Sequence, residues 1–303
     1  MFEAGETVKF LIYGAGVIGT IFAVKLSQSG HDVTMLARNA RKQEIEQFGA
    51  VLRNPKTGRK ETARVNVIEV LSPDECFDYI LVVMQRTQVH AVLDSVAANR
   101  SENIVFVVNT ATGYAEWKNA VGAERLMIGF PSAGGERSAG EVYYFVGKGY
   151  MRVFQTTTFG ELSGQKTQRV TELIHAFTSA GIPSVFCEDM DMWQKTHVAM
   201  VTSVADALYK HGCDNVSLSK SWKDVREMVQ SIKQKFHDLR EIGINITPAK
   251  LKLFHLPTCL LTLVFKVFMG TALAEITMAK HCIAARPEME CLQQEYEQLY
   301  SKN

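Results

Sequence analysis

Charge of one sign is what this sequence lacks most plainly: 33 basic and 32 acidic side chains leave a net charge of +1 in 303 residues. A protein that neutralises a polyanion carries a basic excess, so no nucleic-acid partner is expected. The six cysteines, at positions 76, 187, 213, 259, 282 and 291, include no C-x-x-C pair and share no metal-ligand spacing with the eight histidines. No metal is expected, and the thiols read as reduced core residues of a cytoplasmic protein. The first residues, MFEAGETVKF, bring Glu3 and no apolar leader, which is not the pattern of a secretory signal. Nor does an apolar run reach the ~20 residues that cross a bilayer. The nearest, LPTCLLTLVFKVFM from Leu256 to Met269, opens on a proline and is interrupted by Lys266. It reads as a buried helix, and no membrane partner is expected.

What is present begins with Val8 to Leu26, VKFLIYGAGVIGTIFAVKL: a strand-length apolar run, then Gly14-Ala15-Gly16-Val17-Ile18-Gly19, then a helical pattern. In a dinucleotide turn the first glycine permits the sharp exit from the strand, and the second lets the backbone approach a pyrophosphate. The third lets the helix lie close on the sheet, with its first N–H groups facing the phosphates. The next strand, from Asp32, ends in Ala37-Arg38. A site for NAD wants an acidic residue there to hold the ribose hydroxyl, whereas a cation suits a 2′-phosphate, so Arg38 favours NADP. Arg41 and Lys42 read as solvating the following helix.

Hydrophobic content of 47% with 21% charged residues fits an ordinary globular protein, long enough for two domains. A Pro/Gly turn at 54–58 between apolar stretches at 50–53 and 64–70 predicts a hairpin. The unbroken apolar runs at 79–84 and 104–108 suit parallel strands covered on both faces. Ligands collect outside the carboxyl ends of such strands, which places Gln88 and Asn109 at a cofactor rim. Strands are expected at 127–130, 141–146, 151–159 and 184–187, and a helix at 166–180. From Asp189 onward only helical patterns appear, near 190–209, 222–242, 248–254, 257–281 and 287–300. The organisation expected is an α/β, Rossmann-type dinucleotide-binding domain over 1–188 followed by an all-helical domain over 189–303.

These features, with Asp191-Met192-Trp193-Gln194-Lys195 opening the helical part and Ala274-Glu275-Ile276 near its end, resemble the ketopantoate reductase family over nearly the whole chain. The resemblance implies an NADPH-dependent reduction of a 2-oxo acid, as in 2-dehydropantoate 2-reductase of pantothenate biosynthesis, in a protein that forms a homodimer. Gly14 to Gly19, Arg38, Gln88 and Asn109 would hold the cofactor, and Lys195 would be the general acid. Glu275 would help to hold substrate and lysine; a carboxylate in an apolar helix would otherwise be buried at a cost. Ammonium chemistry suits the step, since hydride addition builds an alkoxide that Lys195 both stabilises and protonates.

The family pattern has asparagines one and two helical turns after the lysine, where this chain has Ala199 and Ser203. Substrate contacts therefore fall to Asn109, Ala199, Ser203 and His197, and a substrate other than ketopantoate is expected. Two alternatives stand beside this reading: a non-catalytic NADP-binding regulatory protein, and an NADP-dependent oxidoreductase acting on a different substrate.

Overall fold

The computed structural model describes residues 7–55, 57–146 and 156–301. The chain forms two units: the described residues up to Val108 together with Tyr114–Met190, and Asn109–Gly113 together with the residues from Asp191 on.

The first unit is built on β1 (Lys9–Tyr13), α1 (Val17–Gln28), β2 (Asp32–Leu36), α2 (Asn39–Phe48), β3 (Ala50–Arg53), β4 (Lys60–Ala63) and β5 (Asn66–Ile68). It continues through β6 (Tyr79–Val82), α3 (Leu93–Ala98), β7 (Ile104–Val107), α4 (Ala115–Val121), β8 (Leu126–Phe130), β9 (Ala133–Ser138) and β10 (Glu141–Val146). It ends with β11 (Thr157–Glu161), α5 (Gln168–Ser179) and β12 (Ser184–Phe186). Eight strands make one sheet in the order β12-β11-β8-β7-β6-β1-β2-β5, parallel throughout except for the β11–β8 pair. The chain leaves β1 for β2 on one side and returns to β6 on the other. That reversal is the switch point at which open α/β sheets take their ligands. As the unbroken apolar runs require, β6 and β7 are buried along their whole length.

A second sheet, in the order β4-β3-β10-β9, packs on α1. This explains a helix whose residues Gly19 to Val24 are all buried: apolar groups face both the main sheet and the small one. Lys25 pairs at 2.5 Å with Glu61 of β4, which also accepts a hydrogen bond from the Tyr144 hydroxyl of β10. The expected 50–53/64–70 hairpin is corrected here. The partner of β3 is β4, in register Ala50 with Ala63, while β5 pairs with β2 in the main sheet. The turn sets that register, because Asn54 N–H bonds the Arg59 carbonyl and Thr57 N–H the Asn54 side chain. Strand β9, AGGERS, carried no apolar pattern; pairing along β10 makes it a strand. Of the stretch expected at 151–159, residues 151–155 lie outside the described residues, and the strand that follows runs on to Glu161.

The second unit holds α6 (Met190–Lys210), α7 (Asn215–Lys220), α8 (Trp222–Glu241), a 3₁₀ segment Ala249–His255, and α9 (Thr258–Met269). After these come α10 (Ala272–Ala274), a π-turn Glu275–Ala279, α11 (Lys280–Ala284) and α12 (Arg286–Ser301). The short α7 was not expected; Asp214 caps it through Val216 N and Ser217 N. The single helix expected over 257–281 is broken after Met269 and bent by 79°. Asn215 Nδ2 takes the Met269 carbonyl at 2.7 Å and that of Thr271 at 3.3 Å, and the Thr271 hydroxyl caps Ala274 N. Those bonds replace the ladder that would have continued the helix.

Two further expectations are corrected. Only one side of α9 is buried, since Leu260, Leu263, Val264 and Val267 are exposed. Cys76 and Cys259 are exposed as well, so these two are not core thiols. No single helix among the described residues is long and apolar enough to cross a membrane.

The first unit also contains a buried ion pair. The Glu161 carboxylate, 3% exposed, receives Arg169 Nε at 2.8 Å and Nη2 at 2.5 Å, and accepts the Thr167 hydroxyl. Removing the guanidinium leaves an uncompensated buried charge, so Arg169→Ala is expected to cost about 3–5 kcal/mol. Denaturant unfolding followed by circular dichroism checks this, and a loss under about 1 kcal/mol would show that water replaces the arginine.

Candidate functional site

The glycine turn follows β1 directly. Gly14 has φ +129, and a Cβ there would stand 2.2 Å from the Val83 carbonyl oxygen leaving β6. A Cβ on Gly19 would stand 1.9 Å from the Gly14 carbonyl oxygen and 3.1 Å from Ile12 Cγ2. The fold itself therefore demands both glycines. Gly16 is different: its φ of −76 suits any residue, and a Cβ would meet nothing within 4 Å. The exposed space beside it lies at the N-cap of α1, which has no side-chain cap and no acidic residue in its first turn. Half-buried Ala15, Val17 and Ile18 flank it. Such an end, with orphan N–H groups and open space, fits a phosphate.

Arg41 was misread as a solvating residue. Its side chain is 10% exposed and its guanidinium bonds the Ala15 carbonyl at 3.2 Å, the Gly140 carbonyl at 3.1 Å, Thr20 Oγ1 at 3.0 Å and Glu44 at 3.0 Å. Thr20 in turn donates to the Gly16 carbonyl at 2.6 Å. Arg41 thus fixes the turn from behind and ties it to the loop between β9 and β10. Burial lowers its pKa, an effect that Glu44 opposes. Lys42 does face solvent, paired with Glu69 at 3.2 Å.

Strands β1 and β2 run parallel with Tyr13 beside Leu36, so Arg38 stands at the same sheet edge as the glycine turn. It is exposed, and its guanidinium lies 3.5 Å from the Tyr13 hydroxyl. Gln88 closes the 3₁₀ turn after β6, its Oε1 accepting the Gln85 N–H at 3.3 Å. Part of its hydrogen-bonding capacity is therefore spent locally.

Asn109 belongs to the second unit, two residues beyond β7. Its Oδ1 is buried and has no hydrogen-bond partner among the described residues. Such an acceptor is costly unless something donates to it. The next residues are held by Glu295 of α12, which accepts from Thr110 Oγ1 at 2.9 Å and Ala111 N at 2.8 Å.

On α6, the Lys195 ammonium, 14% exposed, pairs with Asp191 one turn earlier. The i, i+4 spacing could have disclosed that pair from sequence, whereas Arg41 and Glu295 act across long chain separations that no local pattern signals. Trp193 and His197 stack at 5.4 Å, 200° around the helix from Asp191 and Lys195 respectively. His197 is thus off the lysine's face; burial, then His281, holds its imidazole well below the ordinary pKa range. Ala199 is fully buried in the core of the unit. Ser203 is 2% exposed, with its hydroxyl bonded to the Ala199 carbonyl and, at 2.9 Å, to Ser231 of α8. The expectation that Ala199 and Ser203 touch substrate is therefore corrected: they pack α6 on its own unit. Glu275, the first residue of the π-turn, is 52% exposed with Lys280 at 4.0 Å, so the case made from a buried carboxylate fails.

With this geometry in view, the relatives are informative. A model of the family described as ketopantoate reductase PanE/ApbA matches residues 10–161, half of the chain. The chain belongs to the ketopantoate reductase family. An uncharacterized oxidoreductase, YkpB, of Bacillus subtilis (strain 168) is 24% identical over 196 residues, 62% of this chain and 61% of that protein's length. Among solved structures, D-mandelate dehydrogenase with NADH and anilino(oxo)acetate is similar with a TM-score of 0.71 at 16% identity, over 96% of this chain and 97% of that one. The 2-dehydropantoate 2-reductase of Porphyromonas gingivalis W83 gives a TM-score of 0.66 at 17% identity, over 98% and 99%. At those identities the structures show the shared fold, an α/β Rossmann-type unit followed by helices.

The glycines of this family's turn separate into two kinds here, and stability tells them apart. Gly19→Ala, forced against the Gly14 carbonyl, is expected to lower the unfolding free energy by about 1–3 kcal/mol or more. Gly16→Ala is expected to change it by less than about 1 kcal/mol. Thermal unfolding without ligand compares the two, and equal losses would contradict the view that the fold demands Gly19 but not Gly16.

Proposed function

We propose that the chain is a cytoplasmic NADPH-dependent reductase of a 2-oxo acid, working as a homodimer, with Lys195 as the general acid. The observation that carries the reading is the half-buried Lys195 ammonium held by Asp191, in a chain whose glycine turn leaves open space at Gly16. When bound, NADPH supplies the hydride. The α1 N-terminus and Gly16 take the pyrophosphate, while Arg38, with no carboxylate in its contacts among the described residues, pairs with the 2′-phosphate. Asn109 Oδ1 accepts a hydrogen bond from the cofactor or substrate. Asp191 fixes the ammonium's direction. As the substrate carbonyl carbon gains hydride, Lys195 stabilises the charge growing on oxygen and delivers the proton that makes it a hydroxyl. Glu275, exposed beside Lys280, serves to hold substrate.

Substrate choice follows from what α6 does not offer. With Ala199 and Ser203 buried and His197 on another face, the polar groups that the resemblance places after the lysine are missing. A hydroxylated substrate would lose water there without a replacement partner, at about 1–3 kcal/mol. Alkyl and aryl 2-oxo acids are therefore expected to give higher kcat/KM than ketopantoate. A steady-state panel at saturating NADPH checks this, and a clear preference for ketopantoate would contradict it.

The exposure of Glu275 favours the second reading, a non-catalytic NADP-binding protein, and Lys195 decides between them. Lys195→Ala is expected to keep NADPH affinity and to lower turnover at least about a hundredfold. Unchanged turnover removes Lys195 from the chemistry, and absence of turnover in the unmodified protein favours the binding protein. For the cofactor, an Arg38–phosphate contact is expected to favour NADPH over NADH about tenfold, a preference that Arg38→Ala removes. Equal affinities in the unmodified protein would exclude it.

A further inference from the structure

Residues 109–113, which follow β7, belong to no helix or strand. Among the described residues no backbone–backbone hydrogen bond ties them, and Gly113 turns with φ +77. Side chains must then satisfy the polar groups of such a stretch. One carboxylate oxygen supplies most of the hold: Glu295 Oε2 accepts the Thr110 hydroxyl at 2.9 Å and the Ala111 N–H at 2.8 Å, 185 and 184 positions away in sequence. The Thr110 hydroxyl in turn accepts the Thr112 N–H at 3.2 Å. Thr110 is 1% exposed, Ala111 0% and Glu295 6%, so little water competes for these bonds.

Glu295 is itself fixed. It lies between Leu292 and Tyr296, both in the core of the second unit, and the Tyr296 hydroxyl donates to the Lys235 carbonyl of α8 at 3.1 Å. A carboxylate aimed from a packed helix at two donors makes a charge-assisted clamp.

What this clamp serves is Asn109. Its buried Oδ1 has no hydrogen-bond partner among the described residues, so no bond of its own decides where that atom points. Direction is left to the backbone, and the backbone is pinned at the next two residues. We propose that Glu295 is a positioning residue: through Thr110 and Ala111 it aims the Asn109 oxygen at a donor of the bound cofactor and makes no contact with the cofactor itself. Glu295 has this role only if Asn109 is a ligand acceptor, the reading given above, on which the proposal rests. The donor's chemistry follows from the acceptor. A carbonyl oxygen takes an N–H or O–H; an ionised 2-oxo acid offers neither at its carbonyl and carboxylate, whereas a dinucleotide carries carboxamide N–H groups and ribose hydroxyls. An acceptor held in line contributes to binding, while one that swings away forfeits the bond and stays desolvated.

The test is the NADPH affinity of the full chain, read by cofactor fluorescence, with a melting temperature for each variant. Asn109→Ala is expected to weaken binding about tenfold. Glu295→Asp keeps the charge but withdraws the oxygen by one methylene from both donors, and is expected to weaken binding as much. Glu295→Gln loses the charge but keeps the reach and an accepting oxygen, and is expected to stay within about threefold of the unmodified protein. The double variant Asn109→Ala/Glu295→Asp is expected to bind no more weakly than Asn109→Ala, because both changes remove one contact. A residue that serves stability alone would lower the melting temperature and leave these affinities unmoved. Unchanged affinity in Glu295→Asp beside a weakened Asn109→Ala overturns the proposal and leaves the reading of Asn109 standing, as do losses that multiply in the double variant. Unchanged affinity in Asn109→Ala, or no NADPH binding by the unmodified protein, overturns both. Should Glu295→Asp not fold, Thr110→Val decides. It deletes one of the two bonds and is expected to weaken binding at least about threefold; unchanged affinity overturns the proposal.

Discussion

Two backbone approaches that admit no side chain hold the first unit in its geometry. The turn after β1 presses Gly14 against the Val83 carbonyl, and the start of α1 presses Gly19 against the Gly14 carbonyl. Together they fix where α1 begins relative to the switch point between β1 and β6. With α1 seated, its apolar circumference needs cover on the side away from the main sheet, and the four-stranded sheet supplies it. Arg41 completes the arrangement by joining that sheet's β9–β10 loop to the Ala15 carbonyl. The open space at Gly16 is what this rigid frame leaves over.

Where interactions are local the chain was legible before folding. The runs at 79–84 and 104–108 read as buried parallel strands because burial on both faces requires every residue to be apolar. The glycine spacing and Arg38 were readable because turn and strand end lie within thirty residues. What escaped depends on distant partners. Strand β9 has three small residues and three polar ones and owes its form to β10. Residues 60–68 divide between two sheets because α1 separates them. The break after Met269 comes from Asn215, more than fifty residues earlier.

In the second unit, the sequence puts Lys195 on a helix but does not disclose everything that surrounds it. Lys195 has Asp191 as its carboxylate, while Glu275 lies exposed near Lys280. Ala199 and Ser203 belong to helix packing. Asn109, by contrast, has a buried Oδ1 with no donor among the described residues, and Glu295 holds the residues after it in place. In the reading proposed above, the turn would hold the dinucleotide and the oriented ammonium would deliver the proton in a hydride addition to a carbonyl.

The most direct test of that chemistry is isotopic. NADPH carrying deuterium at the transferable position is incubated with the full chain and a panel of 2-oxo acids, and the products are read by mass spectrometry and NMR. Reductase activity predicts a 2-hydroxy acid with one deuterium on C2. Tight NADPH binding with no deuterated hydroxy acid from any member of the panel would contradict it.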